Sequence, residues 1–250
     1  MDSEELVIDV KDLENELGGL TIHRHLDFSV KRRQIVGIVG GSGSGKTTLL
    51  RSILMLLEPK SGTVKVFGTD VWHCSEEQGI ATRQRWGMLF QKSALFSSLT
   101  VLENVMFPLK EFTNLPEDFI KELAMFKLAL VGLPMTACAK LPGELSGGML
   151  KRAACARSIA LDPELLFLDE PTSGLDPKSA HEMDDLILKL RNSMGLTIVI
   201  VTHDLDSLER VSDQVAFIGD GKVLAMEPLQ ELEANPQPLI QEYFSSLNRR

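Results

Sequence analysis

The run Gly40-Gly41-Ser42-Gly43-Ser44-Gly45-Lys46-Thr47 constrains this chain more than any other segment. It fits the spacing G-x-x-x-x-G-K-[S/T]. It stands between the unbroken apolar run Ile35-Val36-Gly37-Ile38-Val39 and a stretch of helical character from Thr47 to Leu57. An apolar run of that kind reads as a parallel strand covered on both faces. Strand, glycine loop and helix, in that order, are the context in which the motif holds an anion. Glycines let the backbone wrap a phosphate and aim successive N–H groups at it, and the helix N-terminus adds positive potential. In such a loop Lys46 reaches the β- and γ-phosphates, and the Thr47 hydroxyl ligates Mg²⁺. The bland alternative is a flexible Gly/Ser loop that happens to hold a lysine; the flanking strand and helix speak against it.

Elsewhere the pattern alternates between strand and helix. Leu6 to Val10, Leu26 to Val30 and Thr63 to Phe67 read as short strands. Pro59 and Gly62 close the first helix. From about Ser93 to Leu145 the pattern is mainly helical. Thr100-Val101-Leu102-Glu103 has the form of a capping box, and Phe119, Leu123, Phe126 and Leu130 fall on one helical face. Strand Leu165 to Leu168, helix Lys178 to Met194 and strand Thr197 to Val201 follow. Val215 to Ile218 and Lys222 to Ala225 flank Gly219-Asp220-Gly221 as a hairpin. Leu229 to Leu247 reads as two short helices broken at Asn235-Pro236. The expected fold is α/β: a mostly parallel, helix-covered sheet over 1–92 and 164–250, an antiparallel β part, and an inserted α-helical subdomain over 93–163.

Composition excludes some partners. A net charge of −9 disfavours nucleic acid, whose phosphates call for a basic face. Cys74, Cys138 and Cys155 are widely spaced, without metal-ligand spacing, and read as reduced cytosolic thiols. The start Met1-Asp2-Ser3-Glu4-Glu5 is acidic and unlike a secretory signal. No apolar run reaches bilayer length, so any service to a membrane is expected to be peripheral.

Leu165-Leu166-Phe167-Leu168-Asp169-Glu170 is an apolar strand ending in two carboxylates, at the end where ligands bind parallel sheets. Asp169 is placed to hold Mg²⁺, and Glu170 to polarise an attacking water. His203 follows the strand Thr197 to Val201 and fits a γ-phosphate sensor. Gln91 follows Met88-Leu89-Phe90 and could contact Mg²⁺ and the water. Leu145-Ser146-Gly147-Gly148-Met149 precedes a helix from about Leu150 to Ala160. Ser146 is a good N-cap, and the glycines allow close approach to an anion. One chain with two phosphate-binding helix ends suggests that the second completes the site of a partner copy.

These elements, in this order, resemble the nucleotide-binding domain of ABC transporters along nearly the whole chain. The matching parts are the Walker A loop Gly40 to Thr47, the Q-loop at Gln91, the signature Leu145 to Met149, Walker B ending at Asp169 and Glu170, the D-loop Ser173-Gly174-Leu175-Asp176, and the switch His203. The resemblance implies a P-loop NTPase core of the ABC ATPase fold and a head-to-tail dimer holding ATP and Mg²⁺. It puts nucleotide contacts at Gly40, Gly41, Ser42, Gly43, Ser44, Gly45, Lys46, Thr47, Thr48, Ser146, Gly147, Gly148 and Asp176. It puts metal contacts at Thr47, Gln91 and Asp169, and catalytic roles at Glu170, His203 and Gln91. Met149 stands where glutamine is common, and Arg33-Gln34 where Gly-Glu is typical. Around Leu13 to Leu20 there is no aromatic residue to stack on adenine and Asn15 aligns there; Val-, Leu- or His-based contacts, with His23 one candidate, are the alternatives, and the adenine platform is left unassigned.

The finer pattern resembles the ATPases of Mla-type, MCE-associated phospholipid transporters: Met88 to Phe96, Asn104-Val105, Pro108-Leu109, and Glu144 to Met149 with Arg152, Ala153 and Ala154. That implies an integral permease dimer, an MCE-domain lipid-binding protein and a small STAS-domain protein as partners, at the cytoplasmic face of an inner membrane. Apolar residues after Gln91 (Ala94, Leu95, Phe96, Leu99) either pack the helical subdomain or receive a permease helix. The rival readings are an amino-acid importer ATPase, a non-transport ABC ATPase, and a subunit that binds ATP without turnover.

Overall fold

The computed structural model describes residues 5–247; the acidic start Met1 to Glu4 lies outside the described residues. The first stretch holds strands β1 (Leu6–Leu17), β2 (Leu20–Lys31) and β3 (Ile35–Val39), helix α1 (Lys46–Ile53), strands β4 (Ser61–Val66) and β5 (Thr69–Asp70), and helix α2 (Glu76–Arg83). The middle holds β6 (Trp86–Leu89), α3 (Val101–Phe112), α4 (Glu117–Leu130), α5 (Gly147–Ser158), β7 (Leu165–Asp169) and α6 (Pro177–Met194). Last come β8 (Thr197–Val201), α7 (Leu205–Val211), β9 (Gln214–Gly219), β10 (Lys222–Glu227), α8 (Leu229–Ala234) and α9 (Pro238–Leu247). By packing, the chain divides into two compact units, Met1–Arg83 with Thr197–Arg250, and Gln84–Leu196.

The first unit carries an antiparallel sheet of order β2-β1-β4-β5. It also carries the parallel strands β9, β3 and β8, with β10 antiparallel to β9. All five residues of β3 are buried, as its unbroken apolar run requires. Val39, Phe217, Leu232, Ile240 and Phe244 belong to one core cluster, which seats the C-terminal helices on the parallel strands. The hairpin of β9 and β10 and the helix break at Asn235-Pro236 stand where the sequence puts them.

Strands β1 and β2 run to 12 residues each, well past the expected Val10 and well before the expected Leu26. Register shifts between Val10 and Leu13, and again before Asn15, interrupt the alternation. Asp12 takes the left-handed conformation there, with φ 52°. Leu13 and Asn15 nevertheless both stay buried. A bulge of this kind hides a strand from a period-2 reading.

The departure at Arg33 falls in the turn from β2 to β3. Its φ is 65°, a conformation that suits glycine. Its N–H donates to Thr197 Oγ1 at 2.9 Å, which ties this turn to the start of β8.

In the second unit β6 and β7 pair in parallel, Leu89 opposite Leu168. Helix α3 opens on the expected capping box. The Glu103 N–H donates to Thr100 Oγ1, and the Thr100 N–H donates to the Glu103 carboxylate. Helix α4 buries another face than its sequence suggests. Ile120, Ala124, Lys127 and Leu128 are inside, while Phe119 and Phe126 are 47% and 59% exposed. Lys127 is tolerated inside because it pairs with Asp162, a partner 35 residues away.

Among the glycines of this unit, Gly87 makes the tightest approach to backbone. A Cβ there would lie 1.9 Å from the Ser158 carbonyl oxygen at the end of α5. Backbone cannot withdraw as a flexible side chain can. Gly87→Ala is therefore expected to destabilise the protein by about 2 kcal/mol or more in chemical denaturation; a change within error of wild type would show that β6 and α5 do not meet this closely.

Candidate functional site

In the first unit, β3 delivers the glycine loop. Gly40, Gly43 and Gly45 have φ of 148°, 77° and 100°, which side chains resist. At Gly40 a Cβ would sit 2.3 Å from the Ile218 carbonyl and 2.8 Å from Ser44 Oγ. Helix α1 then begins at Lys46 with Gly45 as N-cap and no side-chain cap on its first turn. A helix end of this kind presents N–H groups and partial positive charge to an anion. Lys46 Nζ donates to the carbonyls of Gly40 at 2.7 Å and Gly41 at 2.9 Å, so the ammonium is folded over its own loop. Thr47 is exposed and Thr48 buried. Ile38 pairs with Val201 across the parallel strands. Gly40 and the exposed His203 thus each stand two residues past one registered pair, at the same end of these strands.

The region expected to meet adenine is built otherwise. Asn15 is buried, and its Nδ2 donates to Ser52 Oγ at 2.8 Å, so it faces the core. His23 is 0% exposed and cannot stack on a base. It braces the loop instead: its Nε2 would lie 2.3 Å from a Cβ placed on Gly45. The Arg24 N–H donates to the Gly221 carbonyl at 3.0 Å, holding this part of β2 against the β9–β10 turn. Neither ring nitrogen of His23 is in hydrogen-bonding geometry with a partner. Burial pushes its pKa down to about 4, while the Gly45 backbone pulls weakly the other way. The imidazole is therefore neutral at ordinary pH. At the tip of this hairpin the apolar side chains Leu17 and Leu20 are exposed.

In the second unit, Asp169 and Glu170 leave β7 at the end where Phe90 and Gln91 leave β6, since Leu168 is registered with Leu89. Burial, then the neighbouring charge of Glu170, raises the Asp169 pKa; Lys151 opposes them. Glu170 has φ 49°, a strained backbone for a residue with a side chain. Two cations of α5 meet these loops. Lys151 Nζ donates to the carbonyls of Gln91 at 2.7 Å and Glu170 at 2.9 Å. Arg157 donates to the carbonyls of Ala94 at 2.7 Å and Ser93 at 3.2 Å, where Ser93 and Ala94 have φ of 61° and 50°.

Ser146 caps α5, accepting from the Met149 N–H at 3.3 Å; the helix starts at Gly147, three residues earlier than its sequence suggests. Asp176 caps α6. It accepts from the Ser179 N–H at 3.1 Å and the Ser179 hydroxyl at 2.5 Å, and these bonds lower its pKa. A Cβ on Gly148 would meet Ser179 at 3.6 Å, so the signature and the start of α6 are neighbours.

The structure thus groups Gly40 to Thr48 and His203 in one unit, and Gln91, Ser146 to Gly148, Asp169, Glu170 and Asp176 in the other. Lys151, Arg157 and His23 carry no motif. A signal existed for Lys151: it shares a helical stripe with Ala154 and Cys155, both buried, where a lysine needs specific partners.

The ABC transporter family matches residues 23–173. The chain belongs to that family. The ATP-binding protein MlaF of the intermembrane phospholipid transport system of Haemophilus influenzae is 42% identical over 226 residues, covering 90% of this chain and 85% of that protein. The methionine import ATP-binding protein MetN of Lacticaseibacillus paracasei is 39% identical over 246 residues, covering 97% of this chain and 69% of that one. The ABC cassette MJ0796, solved as a dimer in a post-hydrolysis state with ADP and Pi, superposes with a TM-score of 0.80 at 29% identity, over 89% of this chain and 98% of that chain. The fold is that of an ABC cassette, as its resemblance implied.

The His23 arrangement in this ABC chain predicts a pH dependence. The folded pKa of about 4 lies below the ordinary value of 6.5. As pH falls through 6.5 the unfolded chain takes up this proton first, so stability drops from there down to about pH 4. His23→Leu should flatten the slope of stability against pH in that window by up to one proton relative to wild type. Parallel denaturation series at stepped pH check this; identical slopes would place the proton elsewhere.

Proposed function

We propose that this chain is the ATP-hydrolysing subunit of an ABC transporter that moves phospholipid between the inner and outer membranes. The observation that carries the substrate class is the 42% identity to MlaF over 90% of the chain. The loop at Gly40 to Thr47 fits a nucleotide's phosphates, because a Cβ would fill its floor at Gly40 and the first turn of α1 has no side-chain cap. The oxygen donors Thr47, Gln91 and Asp169 suit Mg²⁺, a hard cation that takes few protein ligands beside phosphates and water. ATP brings the phosphoanhydride whose hydrolysis drives the cycle, with Mg²⁺ neutralising its charge.

In this reading 1–92 and 164–250 form the ATPase core and 93–163 the helical subdomain. Lys46 and the loop amides hold the β- and γ-phosphates. Glu170 takes the proton of the attacking water, Gln91 orients that water, and His203 senses the γ-phosphate. Two chains work head to tail, and Ser146, Gly147, Gly148 and Asp176 of each complete the site of the other. Loss of the γ-phosphate removes the shared ligand and reopens the pair.

The permease dimer would dock a helix on the apolar surface after Gln91. Phe96 and Phe107 are exposed, and their rings lie 4.8 Å apart, a surface suited to a partner. An MCE-domain lipid carrier and a small STAS-domain protein complete the proposed assembly, at the cytoplasmic face of the inner membrane. Among the described residues no helix is long and apolar enough to cross a membrane, so translocation is assigned to the permease.

The MetN relative favours a second reading, an amino-acid importer ATPase. Lipid extraction from the membrane complex purified through this chain separates the two: phospholipid held by an MCE-type partner supports the first, and a small-molecule binding partner the second. For the chemistry, Glu170→Gln should lower kcat on the order of 100-fold or more while MgATP still binds. Wild-type turnover in that variant would remove Glu170 from the hydrolytic step.

A further inference from the structure

We propose that Lys151 is a positioning residue for hydrolysis, clamping the Q-loop and the backbone of the catalytic glutamate to the signature helix with one ammonium group. The inference rests on the reading of Glu170 as the base. Lys151 is 5% exposed. Two of its three N–H groups donate to the carbonyls of Gln91 and Glu170. A buried ammonium is costly unless it is paired and hydrogen-bonded. An aliphatic side chain would fill the same space without that cost, so packing alone does not account for a lysine here.

The partners say what it holds. Glu170 is left-handed at φ 49°, and a strained backbone of this kind persists where its surroundings hold it. The Glu170 carbonyl accepts from the Ser173 N–H at 3.2 Å and, more closely, from Lys151 at 2.9 Å, and that backbone sets where the carboxylate points. Two and three residues past Gln91, the chain is left-handed again at Ser93 and Ala94, and there Arg157 of the same helix holds both carbonyls. Helix α5 thus grips the Q-loop at two places and Glu170 at one. A displacement of the Q-loop is passed through the shared ammonium to the Glu170 backbone. A permease acting on the Q-loop would thereby bear on the orientation of the base without touching it.

The test uses the full chain with MgATP and compares Lys151→Met, Lys151→Gln and Lys151→Arg with wild type and Glu170→Gln. Lys151→Met keeps the bulk and loses both donors. Its kcat should fall on the order of tenfold, while KM and the MgATP dissociation constant stay within about twofold, the signature of an effect on the chemical step alone. Lys151→Gln keeps donors without the charge and should fall between; Lys151→Arg, with charge and donors, should recover most of the rate. Thermal melting reports on folding. Should Lys151→Met not fold, Lys151→Gln decides: a several-fold lower kcat at unchanged KM supports the clamp, and wild-type kcat overturns it. Losses of kcat and nucleotide affinity in parallel also overturn it, because they mark a general structural defect. Glu170→Gln separates the two levels. If it retains full turnover, the reading of the base fails; if it is inactive while Lys151→Met turns over normally, only the clamp fails.

Discussion

The phosphate cradle exists because the backbone between β3 and α1 passes through left-handed geometry at Gly43 and Gly45 and then starts a helix with no side chain over its first amides. Those amides, together carrying roughly half a positive charge at the helix end, are what an anion meets. The cradle is tightly bounded. The Ile218 carbonyl lies against Gly40 from β9, and His23 lies against Gly45 from β2. A methyl group at either glycine would collide with its neighbour, so the loop's shape depends on glycine there and on what surrounds it.

The loops around Glu170 in the second compact unit use a different device. Glu170, Ser93 and Ala94 all take the left-handed conformation without being glycine, so they are held rather than permitted. Lys151 and Arg157 supply charge-assisted donors to their carbonyls or to the carbonyl of Gln91, bonds about twice as strong as neutral ones. The loop of the first unit thus relies on glycine's freedom, and the loops of the second on two α5 cations that hold left-handed backbone.

Much of the arrangement is legible in the sequence where a local rule and the tertiary packing agree. The apolar run of β3, the capping box of α3, the Ser146 cap and the break at Asn235-Pro236 are of this kind, because each is decided within a few residues. The failures are equally specific. Helix α4 carries Phe119 and Phe126 outward and Lys127 inward, where it pairs with Asp162, a partner that periodicity cannot reveal. Strands β1 and β2 run past their expected ends because a bulge at Asp12 resets the alternation. His23, a candidate to face a base, and Asn15, which aligns where an aromatic would stack, prove to be core residues, one bracing Gly45 and the other bonded to Ser52. Lys151 lies between two motif residues in space and beside none of their spacing rules.

The central claim is that each nucleotide is gripped by Lys46 of one chain and Ser146 of a second. Mixing tests it directly. Lys46→Ala chains and Ser146→Arg chains should each be inactive alone. In a mixed pair, the intact loop of the Ser146→Arg chain faces the intact signature of the Lys46→Ala chain, which restores one complete site. Equal mixing should recover about a quarter of wild-type ATPase activity, since half the pairs are mixed and each holds one good site of two. If the mixture stays as inactive as its components although the two chains are shown to pair, the site is not shared between copies and the account is wrong.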